Sequence, residues 1–332
     1  MTLLTQDTMP PHTRAAARAE SPSKPINTSD VLSSLTLLVM WFATSILNEG
    51  ALRRFCGLLG RLHLALRGSK AGDLTAVPEL GPAGTDLRLM EQRIMKRSYE
   101  ELAQPFLERR KGGWHPEIRL AGREHLDRAL EEGHGAVLWV VPSFSGELVF
   151  RKAIHATGLP LVDLRTPSHP YSGTDFGRKY LNPIRLEVEN RYMTERVLIH
   201  NHGHTQALLE LKEHLRQNQI VKFMASPNSE NPPEFPLFGG LFKLAMGAPA
   251  LAKLGKAPIM PVFVTETPAG SYVVEIGAPL EITGSGTGRA TWDALGAAYV
   301  EQMKKHVLRN PDQWPGWYAR DSWTPDTGTS NP

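Results

Sequence analysis

The sequence predicts an α/β fold, a mainly parallel sheet flanked by helices, preceded by an N-terminal helical membrane-anchor region. Three observations predict it. From Glu117 onward, short apolar runs alternate with helical stretches of about 10–15 residues, the pattern of βαβ units. The run Ala136–Val141 is apolar throughout and stops at Pro142, where a helix-start segment takes over. A buried parallel strand ends in this way at the carboxyl edge of a sheet, where such folds place their ligands. Ahead of these units lie an uncharged apolar run and a basic, Leu-rich segment with no strand pattern.

The first thirty residues are rich in Thr, Ser, Pro, Ala and Arg without periodicity and read as a disordered tail. The run Val31–Leu47 carries no charge, and at ~17 residues it sits at the lower limit for crossing a bilayer. A buried helix, a monotopic anchor and a true span are the three readings. Arg53 and Arg54 behind the run favour the anchor, separable from the folded remainder. Ala51–Leu66 reads as a basic amphipathic helix with Leu58, Leu59, Leu62 and Leu66 at helical spacing. Arg53, Arg54, Arg61, Arg67 and Lys70 stand in one stretch without an acidic residue, which suits either an anionic membrane surface or a solvated helix face. A long helix follows over about 86–111, with Pro105 inside it and Gly112-Gly113 as its stop.

The α/β units come next. Strands are expected at 118–120, 136–141, 159–164, 197–199, 220–225, 259–265 and 272–276. Helices are expected at 123–132, 144–157, 175–192, 205–216, 245–254 and 291–308. The domain boundaries are a tail at 1–30, a helical region with membrane anchor at 31–112, an α/β domain at 113–320 and a flexible tail at 321–332.

Composition narrows the function classes. The chain of 332 residues is 41% hydrophobic and 21% charged, with a net charge of +3. That is ordinary for a globular protein and far from the dense positive field of a nucleic-acid binder, so no nucleic-acid partner is expected. The single cysteine, Cys56, excludes an intramolecular disulfide framework.

Four segments in order carry a family resemblance. Gly135–Glu147 reads Gly-Ala-Val-Leu-Trp-Val-Val-Pro-Ser-Phe-Ser-Gly-Glu; Pro236-Leu-Phe-Gly239, Ala257-Pro-Ile-Met-Pro-Val-Phe263 and Asn310-Pro-Asp-Gln-Trp-Pro-Gly-Trp317 follow it. Together they resemble the blocks of the lysophospholipid acyltransferase superfamily, closest to the lipid A lauroyl/myristoyl acyltransferases. The likeness covers roughly residues 35 to 320. It implies a membrane-associated enzyme on the cytoplasmic face of the inner membrane. Such an enzyme moves a fatty acyl group from acyl carrier protein or coenzyme A to a lipid or other hydroxyl or amine acceptor. No cofactor is implied, because the thioester already carries the activation.

The family's first block is a histidine, four residues and an acid. Imidazole suits a general base because its pKa lies near neutrality, and the acid orients it. Here Glu147 supplies the acid, but Pro142 stands in the histidine's place and has no titratable group. A second departure follows strand 220–225, where Ser226-Pro227 stands in place of an Asp-Gln pair.

Ile199-His200-Asn201-His202-Gly203-His204 follows a short strand and opens a helix. In an extended stretch His200, His202 and His204 share one side. They are candidates for a substitute general base or, more weakly, a metal site; neither HExxH spacing nor a cysteine ligand accompanies them, so no metal is expected. The expected catalytic set is therefore Glu147, His200, His202 and His204. Ser143 and Ser145 read as helix caps or as groups binding an acyl carbonyl or an acceptor hydroxyl. His169, Lys222 and Ser226 complete the substrate-binding candidates, Lys222 because it interrupts an apolar strand. Trp314 and Trp317 read as a packing or interface element suited to a membrane rim. Two alternatives stand beside acyl transfer: a catalytically inactive acyl-chain or lipid-binding relative, and a metal-dependent hydrolase built on the 200–204 histidines.

Overall fold

The computed structural model describes residues 25–69, 74, 77, 80, 86–165, 171–198, 204–281, 289–319 and 321–325. In chain order its helices are α1 (Thr28–Ile46), α2 (Glu49–Arg67), α3 (Leu87–Glu108), α4 (Arg123–Glu131), α5 (Gly146–His155), α6 (Asn182–Asn190), α7 (His204–Arg216), α8 (Gly247–Gly255) and α9 (Arg289–Arg309). The strands are β1 (Ile118–Ala121), β2 (Ala136–Val140), β3 (Leu161–Arg165), β4 (Glu195–Leu198), β5 (Ile220–Met224), β6 (Glu234–Leu237), β7 (Gly240–Lys243), β8 (Ile259–Glu266), β9 (Tyr272–Ile276) and β10 (Trp323–Pro325). The chain divides into two compact units. One joins Met1–Thr75, Leu80–His115 and Ser168–Arg191; the other joins Ala76–Glu79, Pro116–Pro167 and Tyr192–Pro332.

In the first unit α1 opens with a capping box: Asn27 Oδ1 accepts from Asp30 N, and Asp30 Oδ2 accepts from Asn27 N, each at 2.8 Å. Asp30 is fully buried and also accepts from the hydroxyls of Thr174, at 2.8 Å, and Ser172. At the other end Arg110 donates to the carbonyls of Thr44 and Leu47. Between these ties Ser33, Leu37, Met40 and Ala43 are buried, while Val31, Leu35, Leu38, Trp41, Phe42 and Ile46 are exposed. The expected anchor thus has one side pinned into its unit. In α2 the buried residues are Leu52, Cys56 and Gly60, and Gly60 lets the helix approach α3 closely. A Cβ there would lie 2.9 Å from Lys96 N. Leu58, Leu62 and Leu66 are exposed, so the Leu stripe read from the sequence faces outward. The helix expected at 175–192 is a π-helical turn, Gly177–Leu181, running into α6.

The second unit is α/β, built on a seven-stranded, mostly parallel sheet flanked by helices, with order β1-β9-β8-β2-β5-β3-β4. β8, β2, β5, β3 and β4 run parallel, and β9 turns antiparallel on β8 with β1 beside it. Every residue of β2 is buried, as a central strand covered on both faces requires. A second sheet, β10-β7-β6, is antiparallel and was not read from the sequence. Its hairpin turns at Phe238 and Gly239, both at positive φ (54° and 65°), the signature of a two-residue type I′ turn. Pro236 sits on the edge strand β6, where a missing N–H is tolerated.

Candidate functional site

The carboxyl edge of the parallel strands brings Pro142 and Ser226 side by side. Val140 pairs with Met224, and Ala225 N donates to Val140 O at 2.9 Å, so the two chains leave the sheet in register. Val141 N donates to Val262 O at 2.9 Å, which places β8 on the other flank.

The turn between β2 and α5 is fixed from the C-terminal side. Phe144 N donates to Gln313 O at 3.1 Å. The Gln313 side chain clamps both backbone groups of Glu266, accepting from its N–H at 2.8 Å and donating to its carbonyl at 2.7 Å. Beyond Gln313, Trp314 and Trp317 are buried and close on Phe238, with ring centroids 5.7 and 4.9 Å away. Of the two readings of these tryptophans, packing or interface, the structure shows packing: both are core, set against the type I′ turn.

Within the turn Ser145 holds a left-handed backbone (φ 65°, ψ −8°), which costs a side-chain-bearing residue about 1–2 kcal/mol. It occupies the N-cap of α5 and is only 4% exposed, yet its side chain makes no capping hydrogen bond. The Oγ of Ser143 is buried without a hydrogen-bond partner among the described residues. Neither serine hydroxyl makes the capping hydrogen bond that its position suggests.

Behind the turn lies a cluster of four charges. Glu147 stands in the first turn of α5 and Arg151 one turn later; Asp163 and Lys222 sit opposite each other on β3 and β5. Lys222 Nζ is 2.8 Å from Glu147 Oε2 and 3.2 Å from Asp163 Oδ1. Arg151 reaches Asp163 Oδ2 at 2.6 Å and Glu147 Oε2 at 2.5 Å. Arg151 and Asp163 are fully buried and Lys222 is 1% exposed. Two carboxylates and two cations compensate each other, the arrangement that makes buried charge tolerable. Glu147, with 18% of its side chain exposed, is the member that borders the turn.

The sequence-predicted residues thus fall into three groups. Glu147, Ser143, Ser145 and Ser226 gather at the ends of β2 and β5. Glu147, expected to orient an imidazole, instead holds Lys222 and Arg151. Lys222, expected among the substrate-binding residues, is enclosed between two carboxylates. His200, His202 and His169 lie outside the described residues, as does the side chain of His204, whose backbone opens α7. Arg151 and Asp163 were missed. Their signals were present: Glu147 and Arg151 are spaced i,i+4, and Asp163 interrupts an apolar strand as Lys222 does. No protein-family model matches the chain, and no curated protein matches its sequence.

Proposed function

We propose that the protein is a membrane-associated acyltransferase on the cytoplasmic face of the inner membrane. It moves a fatty acyl group from acyl carrier protein or coenzyme A to a hydroxyl or amine acceptor in lipid or lipid-conjugate biosynthesis. The observation that carries this reading is the placement of the 142–147 turn at the carboxyl edge of the parallel sheet, beside Ser226 and clamped by Gln313. All four segments behind the resemblance, far apart in sequence, are tied together around this turn through hydrogen bonds and aromatic packing. In this reading the thioester carbonyl lies at the N-terminus of α5, where backbone N–H groups and the Ser143 hydroxyl stabilise the developing oxyanion. A histidine from 200–204 takes the acceptor's proton, since Pro142 has no group that can accept it.

The membrane part of the reading rests on α1, long and apolar enough to cross a membrane by length and composition alone. Burial of Asp30 and the Arg110 cap at its far end favour a helix lying in the surface rather than across it. Basic residues on α2, Arg54 and Arg61 among them, complement anionic lipid.

One observation favours a second reading, an acyl-chain or lipid-binding protein without turnover. Glu147 is bound by Lys222 and Arg151, and Pro142 stands where a base belongs. Labelled acyl-carrier-protein and coenzyme A thioesters, incubated with the purified protein and a lipid extract, separate the two. A labelled product supports transfer, and its loss by roughly 10²–10⁴ on alanine substitution at one of His200, His202 and His204 supports the base. Stoichiometric retention of label without product supports binding.

A further inference from the structure

Away from the 142–147 turn, β4 and α7 place three metal-ligating groups together. Glu210 and His214 stand one turn apart on α7, so their side chains share a side of the helix. Glu195 opens the edge strand β4. One ligand atom from each lies within 4.8 Å of the other two.

His214 is oriented for coordination. Its Nδ1 lies 2.7 Å from Gln219 Oε1. A carboxamide oxygen only accepts, so Nδ1 is the donor in this contact, and in the neutral imidazole that leaves Nε2 as the ligand atom. That nitrogen faces Glu195 Oε2 at 3.7 Å, too long for a hydrogen bond. Zinc–nitrogen and zinc–oxygen bonds of about 2.0–2.2 Å at a near-tetrahedral angle set two ligand atoms about 3.4 Å apart. The observed gap is therefore close to that of two ligands on one ion. An outer carbonyl on the second ring nitrogen is also the usual companion of a coordinating imidazole. Neither Glu195 nor Glu210 has a lysine or arginine within ion-pair distance among the described residues, so two neighbouring carboxylates are left without a fixed counter-charge.

We propose that Glu195, Glu210 and His214 bind a divalent transition-metal cation, zinc above the others, which staples the edge strand β4 to α7. One imidazole and two carboxylates form a borderline donor set, favouring zinc over magnesium. Glu195 and Glu210 are exposed, so water completes the coordination. The site is structural and independent of acyl transfer.

The test titrates zinc chloride into metal-stripped full-length protein, with magnesium chloride as the comparison. It is run on the natural chain, on H214A, on E195Q and on a triple H200A/H202A/H204A variant, each checked for folding by circular dichroism. The expected result is one zinc equivalent bound by the natural chain and by the triple variant, together with a zinc-dependent rise in Tm. H214A and E195Q each weaken zinc binding at least tenfold. Absence of zinc binding, equal binding of magnesium, or binding that survives H214A and vanishes in the triple variant overturns the proposal.

Discussion

The Lys222 ammonium sits 2.8 Å from the Glu147 carboxylate and 3.2 Å from that of Asp163, at the centre of the parallel sheet. Its position makes one cation responsible for two acids on different elements, the first turn of α5 and the middle of β3. Lys222→Met removes one of the two cations that compensate both carboxylates in this cluster. Breaking a buried pair from one side costs about 3–5 kcal/mol, and K222M is expected to lose that much stability in urea unfolding. Glu147→Gln is expected to lose less, because Glu147 is partly exposed and Asp163 still compensates Lys222 and Arg151. A loss below about 1 kcal/mol for K222M would show that the cluster does not anchor the sheet.

The outer side of α1 gives the second prediction. Trp41 and Phe42 are 53% and 58% exposed, whereas Asp30 and Met40 on the inner side are fully buried. Replacing Leu38, Trp41 and Phe42 together with serine is expected to reduce co-sedimentation with anionic vesicles at least tenfold and leave the circular dichroism unchanged. Deleting residues 1–50 differs in kind. It removes Asp30 from the Thr174 hydroxyl and uncovers α3, so the first unit loses stability, contrary to an anchor separable from the fold. Undiminished vesicle binding by the triple serine variant would remove α1 from the membrane contact.

The same contrast shows what the sequence could disclose. The parallel strands were legible because each is a short apolar run between helical periods, and β2 and β5 ended as expected beside Pro142 and Ser226. Hairpin β6–β7 was not legible. Its turn uses Phe238 at positive φ where Asn or Gly is usual, and the residue is held there by Trp314 and Trp317, distant in sequence. Within the site, position 147 was legible from its spacing to the strand end. Its partners were not, since pairing of Glu147 with Lys222 depends on β5 lying between β2 and β3, which no local pattern encodes. The outward turn of Leu58, Leu62 and Leu66 was likewise hidden, because an apolar stripe has the same period whether it faces protein or lipid.

A third prediction concerns acid stability. His306 stacks on Phe263 with ring centroids 4.6 Å apart, and burial, with Arg309 adding to it, pushes its pKa from 6.5 down to about 4. Below pH 6.5 the unfolded chain takes up a proton that the folded chain refuses. The contribution of His306 to stability is therefore level above about pH 6.5, falls as pH drops towards 4, and amounts to a loss of roughly 3 kcal/mol over that window. His306→Leu is expected to flatten this part of the pH–stability curve measured by urea unfolding. An unchanged slope in the variant would assign the acid lability to other groups.

Ser145 gives the last prediction, because two of its properties can be separated by substitution. Its left-handed backbone is one that glycine adopts freely, so Ser145→Gly relieves about 1–2 kcal/mol of strain. Part of that gain is offset by the greater freedom of glycine in the unfolded chain, leaving a net stabilisation of about 0.5–1 kcal/mol. Ser145→Ala keeps the strain and removes only the hydroxyl, which makes no capping bond, so its stability is expected to stay within about 0.5 kcal/mol of the natural chain. If acyl transfer occurs at this turn and the hydroxyl contacts the acyl carbonyl, both variants lose activity to the same degree, at least tenfold. Their stabilities still differ. Equal activity in all three proteins would take Ser145 out of the site, and a destabilised S145G would show that residue 145 is not under backbone strain.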